Sequence, residues 1–329
     1  MQVDTRPDTI TNIASYFQVS SDKLQRHYKN QVSGYRQWEQ LNHAEDYLIF
    51  PENITDQISI DEVSLSKGEL YTIVTNKNAN CKNKHSLIAV VNGTDAKTIE
   101  SVLTKISISE RSKVKEISMD MAPNMALAAR NSFFNSTAVI DRFHVVRLVC
   151  DAMQHLRTSL RWQAIDNENI AIKDAKEKGI KYKPTLLPNG DTLKELLVRC
   201  KYLLYKYEED WTLNQKKRAE ILFSIYPQLK VAYKFCIEFR NIYKCKEKQQ
   251  ALRKINEWKK KVAEAEIKTF NTVINSIEHH LENILNFFDN RNTNANAESF
   301  NSKIKNFRAN LRGVTDVKFF LFRLNKLFA

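Results

Sequence analysis

The chain has 329 residues, with 51 lysines and arginines against 38 aspartates and glutamates, a formal net charge of +13 and a pI near 9.4. That length carries one large or two ordinary domains with a sizeable core, and the charge makes a polyanion the default partner, solubility or general RNA binding being the plain alternative. Five cysteines, Cys81, Cys150, Cys200, Cys236 and Cys245, form no CxxC pair and no regular spacing, which argues against a zinc ribbon or a disulfide framework and fits a reducing cytoplasm.

The first residues, MQVDTRPDTI, lack the apolar segment of a signal peptide, and no long apolar run free of charge follows, so a soluble, unexported protein is expected. Over residues 9–29, Ile13, Ala14 and Phe17 make a short apolar face, Val19 and Ser20 mark a turn, and Ser21 or Asp22 can cap a second helix with Leu24 and Tyr28. Two short helices across a tight turn suggest a helix-turn-helix with Gln25, Arg26 and Lys29 as groove or phosphate contacts. A plain helical hairpin fits the same residues.

From Gln57 the pattern changes to strand. Ile58 and Ile60 alternate with Ser59 and end at Asp61, a second strand runs from Leu70 to Val74, and Leu87 to Val91 is an apolar run of the kind buried on both faces. Ile99, Val102, Leu103 and Ile106 recur at helical spacing and lead to a fourth strand, Val114 to Met119, closed by Asp120. Pro123 opens the next helix, and Thr137 to Ile140 is a fifth strand closed by Asp141. An acid at the end of a buried strand is where an α/β sheet presents side chains to a ligand or metal, although each such acid can also serve as a helix cap. The order of three strands, helix, strand, helix and strand is that of a ribonuclease-H-like sheet, in which Asp61 and Asp120 would lie side by side.

Beyond His144 the pattern is helical for a long way. Val145 to Leu156 continues a helix, residues 171–190 read as a charged loop punctuated by proline and glycine, and helices are expected over Leu193–Tyr207, Trp211–Phe223, Gln228–Phe239 and, as a pair, Ala251–Phe288. Basic and aromatic residues interleave at Lys201, Tyr202, Tyr205, Lys206, Tyr207, Arg240, Tyr243, Lys244 and Lys246, a pattern that can track a phosphate backbone but more often marks core. In the last segment Ala297, Phe300, Ile304 and Phe307 form one apolar face, with Asn294, Glu298, Asn301 and Lys305 opposite. A carboxylate with a carboxamide one turn away on each side, followed by Lys303, Lys305, Arg308 and Arg312, suits a metal-bound phosphodiester site. A solvated surface helix is the plain alternative.

Three stretches, VKEISMDM, STAVIDRFHVVRLVCDAMQHLR and TNANAESFNSKIKNFRANLRG, resemble the DDE transposases of bacterial insertion sequences, in particular the ISL-three group, and IDEVSLSKGELYTIVTN is similar to that group's first catalytic strand and hairpin. The resemblance implies an α/β fold with a ribonuclease-H-like catalytic core in two parts, residues 51–150 and 290–329. A helical insertion over 151–289 would interrupt it, and a helix-turn-helix-like DNA-binding segment over 1–50 would precede it. It implies Asp61, Asp120 and Glu298 as catalytic acids and ligands of two Mg²⁺ or Mn²⁺ ions. Asp141 and His144, of the Asp-x-x-His motif, would be auxiliary, as would Asn294 and Asn301, and Asp141 is the second choice for the middle acid. Cleavage at element ends and strand transfer into target DNA is the implied activity, with assembly into a homo-oligomer on DNA in the nucleoid of a bacterial cytoplasm. A regulatory DNA-binding protein without catalysis, and a nuclease that cuts without joining, are the alternatives. Ser299 stands where the family has glycine, Gly313–Asp316 is a loose form of its glycine-aromatic turn, and no cysteine precedes Cys81 to make its N-terminal zinc-binding segment. A separate zinc-binding recognition protein is therefore an expected partner.

Overall fold

The structure is a computed structural model and describes residues 2–65, 68–78, 85–291, 295–311, 314 and 316–329, with the backbone alone over 295–298. They fall into two compact units, Met1–Asp141 with Arg291–Ala329, and Arg142–Asn290.

The first unit opens with three short helices, α1 (Gln2–Thr5), α2 (Ile10–Tyr16) and α3 (Ser21–His27). Thr9 caps α2 by accepting from the Asn12 amide at 3.0 Å, and the Ser20 hydroxyl caps α3 by accepting from the Lys23 amide. Six described strands then form one sheet: β1 (Tyr47–Ile49), β2 (Gln57–Ser64), β3 (Leu70–Asn76), β4 (Leu87–Asn92), β5 (Glu116–Met119) and β6 (Thr137–Ile140). Their spatial order is β1-β4-β3-β2-β5-β6. β2, β3 and β4 make an antiparallel meander, and β5 and β6 add to it in parallel, reached through α4 (Ala96–Leu103), α5 (Ile108–Arg111) and α6 (Pro123–Ser132).

Two details differ from the sequence pattern. β2 does not stop at Asp61 but pairs with β3 from Ile58 through Ser64, because Glu62 and Ser64 are the solvent-facing partners of a hairpin whose inward residue is Val63. β1 has no counterpart in that pattern, since three residues are too few to establish a period. It is held at the sheet edge by the Gln40 carboxamide, which donates to the Ile49 carbonyl at 3.0 Å and accepts from its amide at 2.9 Å.

The second unit is helical among its described residues. It comprises α7 (Arg142–Glu177), α8 (Leu193–Arg199), α9 (Leu213–Ile225), α10 (Pro227–Ile242), α11 (Lys248–Glu264), α12 (Asn271–His279), α13 (Leu281–Leu285) and α14 (Phe287–Asn290). α7 packs on α10, where Val149 and Met153 meet Cys236, and Trp258 of α11 is buried among Phe235, Phe239 and Phe270 with its indole N–H on the Phe235 carbonyl at 2.9 Å. The part of the expected loop over 171–177 is helix, since Ala171, Ala175 and their lysine and glutamate neighbours are good helix formers; Gly179, at φ +68°, supplies the left-handed turn that ends it. The helix expected over Leu193–Tyr207 breaks after Arg199, where a tighter turn buries Leu203 and Leu204 together. In the interleaved basic and aromatic set, Tyr243 is core, stacked on Phe288, and Arg240 and Lys244 lie over the Tyr207 ring at 4.2 and 5.0 Å.

Two C-terminal helices, α15 (Ala295–Asn310) and α16 (Val317–Phe328), complete the first unit. Alternation along the strands puts Val63, Tyr71 and Ile73 on one face of the sheet, and there they bury Phe300, Ile304 and Phe307 of α15 with Phe320, Leu321 and Leu324 of α16. The opposite face, with Ile58, Ile60, Ile117 and Met119, is left to α4 and α6. α16 also fastens the N-terminal helices, because Phe319 and Phe322 fill the space between Val3, Ile10, Ile13, Tyr28 and Tyr35. Buried Arg323 donates to the carbonyls of Val3 and Asp8 at 2.9 and 3.0 Å.

Candidate active site

The parallel register of β2 and β5 sets Ser59 opposite Ser118, and of β5 and β6 sets Met119 opposite Ile140. Asp61 and Asp120 each lie two residues beyond the last β2–β5 pair, and Asp120 and Asp141 each lie one residue beyond the last β5–β6 pair. Neighbouring strands lie about 4.8 Å apart, so the three acids form one row across the sheet. By alternation Asp61 points to the face that carries α15. Asp61 sits within β2 and not at its end, half-buried, with its Oδ1 accepting from the Glu62 amide at 2.8 Å. Asp120 follows β5 directly, and its Oδ1 accepts from the Ala122 amide at 2.9 Å, which fixes the carboxylate in the turn that starts α6. Asp141 is almost fully buried, its amide on the Met119 carbonyl at 3.0 Å.

The last segment reaches this row through Asn301. Its carboxamide N–H donates to Asp61 Oδ2 across 240 residues of sequence, and its own Oδ1 is buried with no hydrogen-bond partner among the described residues. Burial of Phe300, Ile304 and Phe307 on the strands dictates this orientation of α15: the residue beside Phe300 is turned toward the open side of β2. Glu298 lies in the same helix, one turn before Asn301; its side chain, and all of Asn294, are outside the described residues. Ser59 and Ser118, not singled out as site residues in the sequence, continue the acid row down the sheet as buried hydroxyls without partners among the described residues. Their signal in the sequence is the alternation of polar residues with Asp61 and Asp120.

Among the described residues no group of three or more His, Cys, Asp or Glu side chains stands together to hold a metal. The donors at the row are nonetheless all oxygen, two ordered carboxylates and a buried carboxamide oxygen without a partner among the described residues, a set that fits a hard divalent cation better than a thiophilic one. His144 is half-buried in the first turn of α7, its ring edge-on to Phe143 at 5.8 Å, and it belongs to the second unit.

The residues expected to meet DNA divide. Arg26 and Lys305 are exposed and Lys303 is half-buried, while Arg312 lies outside the described residues. Lys29 departs from the expectation: it pairs with Asp316 at the start of α16 and lies over the Tyr35 and Phe319 rings at 5.0 and 5.4 Å, so its charge holds the N-terminal helices in place. Arg308 departs further. It is buried, bonded to Glu69 at 2.6 Å and stacked over Phe320, because it follows Phe307 on the covered side of α15. Each is drawn away from solvent by an acid from a remote segment.

In comparisons with known proteins, no curated protein matches the chain. A family model described as transposase, that of the ISL-three group of DDE transposases, matches residues 58–324, from β2 into α16.

Proposed function

The chain belongs to the ISL-three family of DDE transposases, and from that membership we propose that it cuts DNA at the ends of an insertion sequence and joins the freed ends to target DNA. The observation that carries the reading is the placement of Asp61 and Asp120 each two residues past the last pair of the adjacent parallel strands β2 and β5, with Asn301 of the C-terminal segment bonded to Asp61. The order β4-β3-β2-β5-β6, antiparallel then parallel, supports a ribonuclease-H-like core, and the helical unit over 142–290 fits an insertion between the second and third acids.

Asp61, Asp120 and Glu298 would hold two Mg²⁺ or Mn²⁺ ions, which when bound supply charge neutralisation and lower the pKa of a water or 3′-hydroxyl for in-line attack at phosphorus. Asn301 orients Asp61 by its amide, and the Ala122 amide does the same for Asp120, so both carboxylates would be held ready for divalent cations. Asp141 supports the row from the next strand, and His144 would handle the strand from the start of α7. No covalent enzyme nucleophile is required. The family implies DNA as the partner, and no described helix is long and apolar enough to cross a membrane. Assembly as a homo-oligomer on DNA, and recognition of the ends with help from a zinc-binding protein, belong to the same proposal.

The test is a cleavage and strand-transfer assay on duplexes bearing the ends of the element, with Mg²⁺ or Mn²⁺ and with EDTA. Metal-dependent cutting followed by joining supports the reading. Cutting without joining would make the chain a nuclease, and binding without either would make it a regulator on a transposase fold.

A further inference from the structure

α7 is longer than its packing requires. Its fully buried side chains stop at Ala164, yet the helix runs on to Glu177. Over that overhang and the turn after it, Lys173 to Lys183 places five lysines, Lys173, Lys176, Lys178, Lys181 and Lys183, against Asp174 and Glu177. All five are exposed, and none forms an ion pair among the described residues. Attraction of cations to a helix C-terminus accounts for Lys173 and Lys176, which lie in or beside the last turn, but the effect falls off within that turn. Lys181 and Lys183 lie past Gly179, where the chain has already turned off the helix axis. α11 is also rich in lysine and is a useful contrast: three of its five lysines are paired, Lys248 with Asp289 at 2.7 Å, Lys259 with Glu278 at 2.8 Å and Lys261 with Glu238 at 3.2 Å. The overhang keeps its charge unspent.

We propose that the lysine-bearing end of α7 and the turn after it, Lys173–Lys183, form an arm that binds the phosphate backbone of duplex DNA. The inference rests on the transposase reading for the identity of the polyanion. An unneutralised cluster on a helical extension costs self-repulsion when free and gains counterion release on a phosphate backbone, so it favours a polyanion over a neutral surface. The stretch has no carboxamide, and its one aromatic, Tyr182, is half-buried, so the arm would position the duplex without reading bases.

The experiment is a binding titration of the full chain on a scrambled duplex across a range of salt concentrations. It compares the wild type, a variant with all five arm lysines changed to glutamine, and a control with Lys216, Lys217, Lys254, Lys260 and Lys268 changed to glutamine, exposed positions that remove the same charge elsewhere in the same unit. The expected result is that the slope of log affinity against log salt shrinks by about 3 or more in the arm variant and by about 1 or less in the control, at about 0.9 for each phosphate no longer neutralised. Equal shrinkage in the two variants would show bulk charge alone and overturn the arm. An unchanged slope in the arm variant would overturn it too. If the wild type itself fails to bind duplex, the transposase reading falls first and the arm with it.

Discussion

Asn301 joins α15 to β2 through Asp61, and its carboxamide is the point at which that joint can be tested. Asn301→Ala should leave duplex binding intact and lower the rate of cleavage about 10- to 100-fold, since a carboxylate that loses its orienting partner still binds metal but less well; this is measured as single-turnover rate against Mg²⁺ concentration. Asp61→Asn and Asp120→Asn should go further and abolish both cleavage and joining with duplex affinity preserved, because groups that share metals act as a unit. Either variant cutting at the wild-type rate removes that residue from the site. Arg308 provides the opposite test. Its guanidinium is buried against Glu69, so Arg308→Ala should cost about 2–4 kcal/mol in a denaturant titration by stranding a half-buried carboxylate, while the salt dependence of DNA binding stays as it was. A side chain that bound phosphate would give the reverse pattern.

At the scale of elements, the N-terminal helices depend on α16 as much as on one another. Phe322→Ala should cost about 3–5 kcal/mol as a large-to-small change in a buried aromatic cluster, and hydrogen exchange should show faster opening of α1 to α3 well before the sheet responds. The same cluster carries a pH dependence. Burial, then the hydrogen bond to Asp4 and its negative charge, hold the Tyr28 hydroxyl well above the ordinary tyrosine value near 10. The fold therefore favours the protonated phenol. Its contribution is complete below the unfolded-state value and is lost as the pH rises through the folded-state value, so stability should begin to decline above about pH 10. Thermal melts from pH 8 to 11 should show a shallower alkaline decline in Tyr28→Phe than in the wild type; identical slopes would mean that the phenol titrates normally.

Across the whole molecule the positive charge is unevenly placed. Residues 142–290 hold 28 lysines and arginines against 19 aspartates and glutamates, a net +9 of the +13 in the chain. Binding to duplex should accordingly fall steeply with salt and differ little between element ends and scrambled DNA, because α3 is short and Lys29, expected to meet DNA beside it, is committed to Asp316. A titration with both duplexes at two salt concentrations checks this; strong preference for the ends by the chain alone would show that another surface reads sequence.

Local periodicity was enough to find most of the sheet and its acids. Alternation at Ile58 and Ile60, the apolar run of Leu87 to Val91, and an aspartate after each of the last two strands are short-range patterns, and a strand's faces follow from them directly. The apolar face of α15 was legible in the same way, from Phe300, Ile304 and Phe307. Tertiary structure alone decided which polar side chains of the helices were free. Lys29 and Arg308 look like any basic residue on an exposed face until Asp316 and Glu69 arrive from elsewhere in the chain, and Asn301 meets Asp61 only because α15 lies on β2. Periodicity records how a segment faces its own core, whereas the pairing of charges and carboxamides depends on partners hundreds of residues away, which no local pattern encodes.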